Sequence, residues 1–316
     1  MAEQKYVATR DGFGKAIVEL GEKNKNVVVL TADLTDSTKA EGFRIKFPKR
    51  FFTLGIAEQN MLGAASGLAL SGKIPFACTF AVFASGRAWE QVKVSVAYMN
   101  LNVKIIASHG GITVGEDGAT HQAIEDVSIM RVLPNMNIIV PSDALETEKA
   151  THAIAELDGP AYLRLGRHKV PVISNNETKF KIGEANILRE GKDIAIFACG
   201  IMVSSSLDAA EKLEKQGVST AVINMHTIKP LDTTTLYNIS KKVKAIVTAE
   251  EHTIAGGLGS AIAEFLVQSN PLPIKMVGIK DEFGMSGKPE ELLKIYHLTA
   301  DDIVIAANDA LKLTKR

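Results

Sequence analysis

Short apolar runs rich in β-branched residues recur along this chain, and longer stretches with helical periodicity separate most of them. The runs are almost continuously apolar, which is typical of strands buried on both faces. Such strands, alternating with helices, predict a parallel sheet with helices on both sides, the doubly wound α/β arrangement. In the first part of the chain the six predicted strands are residues 27–33, 51–55, 74–81, 103–109, 137–142 and 161–166.

Between residues 168 and 192 the sequence becomes polar, irregular and rich in charge, and a second series of α/β elements follows it. We place a domain boundary there, which predicts a domain of residues 1–180 and a smaller one of residues 181–316. Gly217 is expected to end the first helix of the second domain. The predicted elements of this domain are strands 193–200, 219–225, 243–249 and 274–279, helix 204–216, and a helix from Gly259.

Composition argues against several classes of function. The 316 residues contain 36 Lys and Arg against 36 Asp and Glu, so no net charge favours nucleic acid or an anionic membrane as a partner. No apolar run approaches the roughly 20 residues of a membrane span, and the polar start MAEQKYVATR does not resemble a signal peptide. Cys78 and Cys199 both lie in apolar strand-like runs, as reduced core cysteines do. We therefore expect a soluble, cytoplasmic protein.

Polar and aromatic residues follow the predicted strands of the first domain where these strands end. Because ligands bind beyond the carboxyl ends of the strands in an open parallel sheet, such residues predict one shared site. They are Asp33 and LTDS (34–37) after the first strand, GIAEQN (55–60) after the second, TFAVF (79–83) at the third, residues 109–121 after the fourth, and Arg167 after the sixth.

The segment SHGGITVGEDGATHQAIED, residues 108–126, carries the densest polar chemistry of these strand ends. His109 and His121 bracket a Gly-rich turn that contains Glu116 and Asp117. A single histidine is more often structural than catalytic, but two histidines and acids on one tight loop favour a functional role. No His-x-x-x-His or Cys pair indicates a metal site. We therefore predict hydrogen bonding to a hydroxylated substrate.

Glu58 opens a predicted helix, residues 57–71, whose Gly63 and Gly67 leave a flat face for the close approach of another helix. One interpretation is a glutamate that the helix dipole favours in a first turn. The other is a carboxyl group beside an apolar wall of Phe80 and Phe83, where it can hold or share a proton near neutral pH.

Some residues are ambiguous when each is taken alone. The segment GGLGSAIAE, residues 256–264, lacks the spacing of a dinucleotide-binding glycine motif and predicts close packing of a strand and a helix. His252, just before it, is the one second-domain residue that we expect to face a neighbouring site. Four further residues would each be interpreted as solvated surface if they stood alone: Arg10, Ser37, Arg87 and Arg167.

Three segments together resemble the pyrimidine-binding domain of transketolase, a thiamine-diphosphate enzyme. They are RFFTLGIAEQNM (50–61), PFACTFAVF (75–83) and the loop of residues 108–126, whose His, Gly-Glu-Asp-Gly and Thr-His-Gln elements follow the family's spacing. TRDGFG (9–14), ADLTDS (32–37) and GRHKVP (166–171) extend the similarity. The second domain resembles the transketolase C-terminal domain. The resemblance implies two doubly wound domains, the first with a six-stranded parallel sheet.

Enzymes of this kind also have a diphosphate-binding domain, in which a Gly-Asp-Gly and a later asparagine hold Mg²⁺ and the diphosphate. No Gly-Asp-Gly occurs in this sequence, which is far shorter than a complete transketolase. The resemblance therefore implies the C-terminal subunit of a split enzyme, with an N-terminal partner subunit that supplies the magnesium and diphosphate ligands. It also implies a heterotetramer, with the glycine-faced helix after Glu58 near its two-fold contact.

By resemblance, Glu58 bonds a ring nitrogen of the aminopyrimidine of thiamine diphosphate and promotes its imino tautomer. Phe80 and Phe83 stack against the same ring and keep water away from it. The family has a further aromatic residue a few positions on, where this chain has Gly86 or Arg87. The third wall of the pyrimidine pocket is therefore not predicted.

The implied reaction transfers a two-carbon ketol unit from a ketose phosphate to an aldose phosphate, as in the pentose phosphate pathway. Arginine offers a fork of donors to phosphate oxygens and serine adds a neutral donor, while aspartate and histidine contact hydroxyl groups. With Glu58, the two histidines are expected to be catalytic because they assist proton movement. The implied substrate-binding residues are Arg10, Ser37, His109, Asp117, His121 and Arg167.

Three alternatives stay open at this point. The beta subunit of a 2-oxo-acid dehydrogenase decarboxylating component resembles this chain around Glu58, but it does not normally carry the loop from His109 to His121. A deoxyxylulose-phosphate synthase-like fragment shares the Thr-His-Gln element and tends to lack the match at His109. A non-catalytic regulatory module is the third alternative, and the presence of Glu58 and both histidines argues against it.

Overall fold

A computed structural model describes residues 5–314 of the chain. In the first domain the strands and helices are β1 Tyr6–Ala8, α1 Thr9–Lys23, β2 Val27–Thr31, α2 Glu41–Lys46, β3 Phe51–Thr53, α3 Glu58–Leu70, β4 Ile74–Phe80, α4 Trp89–Gln91, β5 Lys104–Ser108, α5 Asp126–Arg131, β6 Asn137–Ile139, α6 Ala144–Glu156, β7 Ala161–Arg164 and β8 Lys169–Pro171. Short 3₁₀ turns at Pro48–Arg50 and Ile112–Asp117 and π-helical segments at Phe83–Arg87 and Val92–Ala97 complete it.

The second domain is built from a further set of strands and helices. These are β9 Asn186–Arg189, β10 Ile194–Ala198, α7 Met202–Glu214, β11 Thr220–Asn224, β12 Thr227–Lys229, α8 Thr233–Ser240, β13 Ala245–Thr253, α9 Leu258–Ser269, β14 Ile274–Ile279, α10 Pro289–Ile295 and α11 Ala300–Leu313.

The sheet of the first domain has seven strands in the order β12-β6-β7-β5-β4-β2-β3. The six parallel strands that the sequence predicts are confirmed in it. The seventh strand corrects the expectation of a six-stranded sheet. It is β12 of the second domain, which pairs antiparallel with β6 and aligns Thr227 with Ile139. Three residues that pair far along the chain leave no periodic signal in the sequence, so β12 was not predicted.

Both faces of this sheet are covered, as a doubly wound fold requires. Val28 and Leu30 of β2 belong to a core cluster with Met61 of α3, whereas Val27 and Val29 join a cluster with helix α1 on the opposite face. Alternate residues of one strand therefore pack into different cores, which explains why the strand is apolar at every position.

The second sheet has five strands in the order β14-β13-β10-β11-β9, of which only β9 runs antiparallel. The four predicted strands and both predicted helices are confirmed. Gly217 follows α7 with φ +78°, a left-handed conformation that glycine adopts without strain. Besides β12, the elements of this domain that the sequence did not predict are β9, α8, α10 and α11. Among residues 5–314, no helix combines the length and the apolar character that a membrane crossing requires.

One of the hydrophobic core clusters extends across both domains. The largest cluster of buried side chains includes Ala107 and Met136 of the first domain together with Phe197 and Met225 of the second. The domains are therefore packed on each other over apolar surface, in addition to the shared strand β12.

Left-handed backbone occurs at the carboxyl ends of two interior strands of the first sheet. Asp33 follows β2 closely and His109 follows β5 directly, and both have φ +60°. Positive φ is uncommon for residues other than glycine and clusters at functional sites. These strand ends are where the sequence predicts a site.

Candidate functional site

Four aromatic rings form the centre of the site at the carboxyl edge of the first sheet. Phe80 ends β4 and Phe83 begins the π-helical segment that follows, and their rings stack 5.9 Å apart with 9° between the planes. The ring of His109 stacks on Phe80 with centroids 3.8 Å apart. His121 meets both phenylalanine rings edge-on, at 6.4 and 5.6 Å. The two histidines that are twelve residues apart in sequence therefore meet on one aromatic wall.

Glu58 is the first residue of α3, and its side chain is only 1% exposed. Its Oε2 accepts a hydrogen bond from Nη1 of Arg87 at 2.8 Å. Its Oε1 is buried and has no hydrogen-bond partner among the described residues. A buried carboxylate oxygen without a partner is costly, and a polar atom of a ligand can remove that cost.

Arg87 stands where the sequence left the third wall of the predicted pocket undefined. Its guanidinium lies 4.5 Å from the centre of the Phe83 ring, while Gln59 donates to its carbonyl oxygen at 3.2 Å. Arg87 therefore links the carboxylate of Glu58 to the aromatic wall. Interpreting Arg87 as a solvated surface residue was incomplete, because the side chain is 46% exposed yet bonds the buried Glu58.

His109 is held in one orientation by two polar neighbours. Its Nδ1 lies 2.8 Å from Oγ of Ser108, and its Nε2 lies 3.2 Å from Nη1 of Arg10. Since a guanidinium can only donate, Nε2 accepts from it and the ring proton resides on Nδ1. Burial, followed by the positive charges of Arg10 and Arg167, lowers the pKa of His109 to about 3. The ring is therefore neutral near pH 7.

Two arginines line the polar side of the same site. Arg10 donates to the main-chain carbonyl oxygen of Ser37 at 2.9 Å, and its Nε is buried with no partner within residues 5–314. Arg167 donates to the carbonyl oxygen of Val114 at 3.0 Å and pairs with Asp117 at 3.3 Å. These cations are partly exposed, so their remaining N–H groups can bind an anionic ligand.

The structure brings the nine residues of the predicted site together. Arg10 joins Ser37 to His109, and ring contacts join His109 to Phe80, Phe83 and His121. Glu58 is linked to the rings through Arg87, and the charge of Arg167, which pairs with Asp117, acts on His109.

Of the two predictions that concern the second domain, one is wrong and one is confirmed. His252 is only 2% exposed and accepts from the main-chain N–H of Ser128 at 3.4 Å, so it lies between the domains and does not face a site. The predicted close packing at residues 256–264 is confirmed, because a Cβ on Gly257 would come within 2.1 Å of a carboxylate oxygen of Glu250.

Sequence reasoning missed two partners that orient the site. Ser108 and Arg87 fix His109 and Glu58 respectively. Ser108 ends strand β5 directly after three apolar residues, and that position was the only available signal. Arg87 lies in a π-helical segment, whose five-residue hydrogen-bonding pattern shifts side chains away from the positions that a helical repeat of 3.6 predicts.

The site can hold a flat heteroaromatic group. Phe80 and Phe83 offer nearly parallel ring faces, and the free Oε1 of Glu58 can bond a ring nitrogen. The arginines, Asp117 and the histidines can bind a phosphorylated, hydroxylated molecule beside it. The donor set therefore fits both parts of the ligand that the sequence predicts.

Comparisons with known proteins match both domains to one family. Residues 5–172 match the family model described as transketolase, pyrimidine binding domain, and residues 183–303 match that of the transketolase C-terminal domain. A relative from Methanocaldococcus jannaschii, whose name describes a transketolase C-terminal section, is 48% identical and covers 97% of each chain. The 6-deoxy-6-sulfo-D-fructose transketolase subunit SqwH of a Clostridium species is 43% identical over 95% of this chain and 93% of its own.

A solved structure gives the same result. It is described as a split gene transketolase in an inactive β4 tetramer, and it superposes with a TM-score of 0.92 at 50% sequence identity. The match covers 98% of this chain and 99% of the other.

Proposed function

Because this chain belongs to the transketolase family and carries its pyrimidine-binding and C-terminal domains, we propose that it is the C-terminal subunit of a two-chain, thiamine-diphosphate-dependent transketolase. The reaction is the transfer of a two-carbon ketol unit from a ketose phosphate to an aldose phosphate. The observation that carries the proposal is Oε1 of Glu58, which is buried and has no partner among residues 5–314, on a carboxylate that Arg87 links to the stacked rings of Phe80 and Phe83.

Thiamine diphosphate, when bound, supplies an electron sink for breaking the bond next to a ketose carbonyl. In this chain, Phe80 and Phe83 would hold the pyrimidine ring and exclude water from it. Glu58 would exchange a proton with a ring nitrogen through Oε1, while Arg87 fixes Oε2. The carboxylate then has only one free oxygen, so the pair imposes a single direction on its hydrogen bond.

The sugar phosphate would lie along the polar side of the site. We assign its phosphate to Arg10, Arg167 and the hydroxyl of Ser37, and its hydroxyl groups to Asp117 and the two histidines. Because His109 is neutral and its Nε2 faces Arg10, its role would be to position the substrate. His121, whose Nδ1 lies 2.9 Å from Oγ1 of Thr120, would then take the larger part in proton movement.

The magnesium and diphosphate ligands would come from an N-terminal partner subunit. A relative that is named as a transketolase subunit supports the division into two chains. Gly63 and Gly67 face outward from α3 with nothing within 4 Å of a Cβ built on either, so another helix can approach this face closely. We propose that such a contact joins two copies in a heterotetramer. The inactive β4 tetramer described for the similar chain fits a site that is incomplete without its partner.

We propose a sugar phosphate as the donor for this chain. One relative is named for a sulfonated fructose, so the anion that the two arginines hold need not be a phosphate in every member. In this chain a phosphate is our assignment because Arg10 and Arg167 stand together with Ser37 and a neutral His109.

The direct test is reconstitution. This chain is purified alone and together with the chain encoded beside it, and each sample is titrated with thiamine diphosphate and magnesium. Ketol transfer from xylulose 5-phosphate to ribose 5-phosphate is then assayed. We expect tight cofactor binding and turnover only when both chains are present. Turnover by this chain alone would contradict the proposal, since it would require diphosphate ligands within the chain itself.

A further inference from the structure

The histidine loop, residues 109–121, packs against the second domain along its inner side. It contains three glycines with positive φ, at Gly111, Gly115 and Gly118. A Cβ on Gly111 would come within 2.2 Å of the carboxylate carbon of Glu251, and one on Gly118 within 2.5 Å of Oγ of Ser286. The same group on Gly115 would touch residues 287 and 289 at 3.4 Å. The atoms nearest to a Cβ built on any of these three glycines all belong to the second domain.

Glu251 makes the closest of these contacts. It lies on β13, is 4% exposed, and accepts a hydrogen bond from the main-chain N–H of Thr113 at 2.7 Å. Burial raises the pKa of Glu251, against the opposing effects of Arg164 and the Thr113 N–H. Arg164 also donates to the carbonyl oxygen of Glu251 at 3.1 Å and pairs with Asp126 at 2.8 Å. The main chain of the residue that holds the loop is therefore itself bonded to a buried ion pair.

A second contact fixes the far end of the loop. Nε2 of Gln122 donates to the carbonyl oxygen of Met285 at 2.9 Å and to that of Ile112 at 3.0 Å. A Cβ on Gly284 would come within 1.8 Å of Oε1 of Gln122. The second domain thus fastens the loop near its middle through Glu251 and at its end through Gln122.

We propose that Glu251 is a positioning residue for the donor-sugar site and that the second domain thereby takes part in substrate binding. This inference rests on the proposed transketolase function. Glu251 fixes the main chain at Thr113, and the 3₁₀ turn at Ile112–Asp117 carries Asp117 at its end. Val114, which follows Thr113, accepts from Arg167. A displaced Thr113 would therefore move two of the groups that we assign to the sugar phosphate, Asp117 and Arg167, but leave Glu58 and the phenylalanines in place.

The experiment uses the reconstituted two-chain enzyme and three variants. Glu251→Ala removes the acceptor, Glu251→Gln keeps an acceptor oxygen and removes the charge, and Glu250→Ala is the matched control. Glu250 is equally buried and adjacent in sequence, but its carboxylate accepts from the N–H groups of Leu258 and Gly259 at the start of α9. It has no bond to the loop among the described residues.

We expect Glu251→Ala to raise the KM for the ketose phosphate about tenfold or more, with the Kd for thiamine diphosphate within about twofold of the wild-type value. Glu251→Gln should recover most of the loss, because the amide oxygen can still accept from Thr113. An unchanged KM in Glu251→Ala, or an equal rise in Glu250→Ala, would overturn the proposal. Failure of Glu251→Gln to recover the loss would also do so, since the effect would then come from the charge.

Hydrogen exchange on this chain without its partner separates the inference from the proposed function. In Glu251→Ala, peptides that cover residues 109–121 should exchange faster while those of α9 do not change, and Glu250→Ala should show the opposite pattern. If the wild-type complex has no transketolase activity but the two variants show these opposite exchange patterns, the proposed function is wrong, and the positioning of the loop by Glu251 is still supported. If Glu251→Ala does not fold, Gln122→Ala takes its place, and unchanged exchange in the loop would count against this positioning.

Discussion

The carboxyl ends of the two sheets carry comparably polar side chains, yet the candidate site lies at only one of the two edges. At the first edge, Oε1 of Glu58 and Nε of Arg10 are buried without a partner in the described part of the chain. At the second edge, Glu250, Glu251 and His252 each accept from main-chain N–H groups, two of them from residues of the first domain. Parallel topology brings polar groups to both edges. Because Asn224 at the end of β11 also has a buried oxygen without a partner, the edges differ in their acids: within residues 5–314, Oε1 of Glu58 has no partner, whereas both oxygens of Glu250 accept main-chain N–H groups.

This contrast separates two roles for the same kind of residue. An acid that accepts main-chain N–H groups fixes structure, within the second domain for Glu250 and between the domains for Glu251. An acid with a buried, unpaired oxygen can instead bond a ligand. The second edge is also covered by the first domain, since Glu250 and Glu251 are at most 4% exposed. Variants that change either edge therefore have different expected effects.

The largest expected effect comes from Glu58→Ala, which removes the free oxygen that defines the first edge. Turnover of the reconstituted complex should fall about 10³-fold, as loss of an acid–base group does. The free energy of unfolding should change little, because the deleted carboxylate has only the partly exposed Arg87 as a partner. Steady-state kinetics and thermal unfolding measure the two quantities.

The control for Glu58→Ala is Asp301→Ala, which removes an exposed acid from the first turn of α11. That variant should keep wild-type turnover. Near-normal turnover in Glu58→Ala would remove the contrast between the two edges, because a free oxygen would then have no catalytic consequence.

His121→Ala should give the next largest effect. The ring contacts Phe80 and Phe83 at their edges and is half-buried, so its loss opens the substrate side of the aromatic wall and leaves Glu58 untouched. We expect kcat/KM for the donor sugar to fall about 10²-fold, while the affinity for thiamine diphosphate changes much less. Calorimetric titration of the cofactor supplies the comparison, and parallel losses in both quantities would argue against a substrate role.

Arg87→Leu sharpens the comparison, since it frees the second oxygen of Glu58. Leucine can still pack on Phe83, but it cannot donate to Oε2. A carboxylate with two free oxygens has no fixed direction, so kcat/KM should fall about tenfold. Arg87→Lys should recover part of the loss. Equal activity of Arg87→Leu and the wild type would show that the ion pair does not orient Glu58.

The smallest expected effect concerns stability at the second edge. Burial raises the pKa of Glu250 from 4.5 to about 7, although the hydrogen bonds from the N–H groups of Gly259 and Leu258 lower it. Between these pH values the folded state keeps a proton that the unfolded state has released. The resulting stabilisation is therefore lost as the pH rises through 7. Glu250→Gln cannot titrate, so its Tm relative to the wild type should rise between pH 5 and pH 8. A constant Tm difference between Glu250→Gln and the wild type over this range would contradict the raised pKa of Glu250.

The sequence was sufficient to predict the parallel strands and the residues at their ends, because both follow from local patterns. Strands buried on two faces are apolar at every position, and a parallel sheet then collects the strand ends at one edge. That reasoning located Glu58, Phe80 and His109 without any knowledge of their contacts.

The missed features share a different origin. Arg87 pairs with Glu58 across 29 residues, and Glu251 meets Thr113 across 138. Whether a charged residue is solvated or buried against a partner depends on packing between distant segments, which single-residue propensities do not contain. The antiparallel strand β12 was missed for the same reason, and His252 was expected to face a site because its burial between the domains could not be read from its neighbours in sequence.

Strand β12 determines which fragments of this chain keep the first sheet complete. A fragment that stops near residue 180 lacks β12 and leaves β6 as the outer strand of the sheet. Bare edges of this kind attract other strands and favour aggregation. The covalent boundary between the domains and the boundary of the sheet therefore do not coincide. A soluble fragment would need to carry residues 227–229 with it, for example by circular permutation.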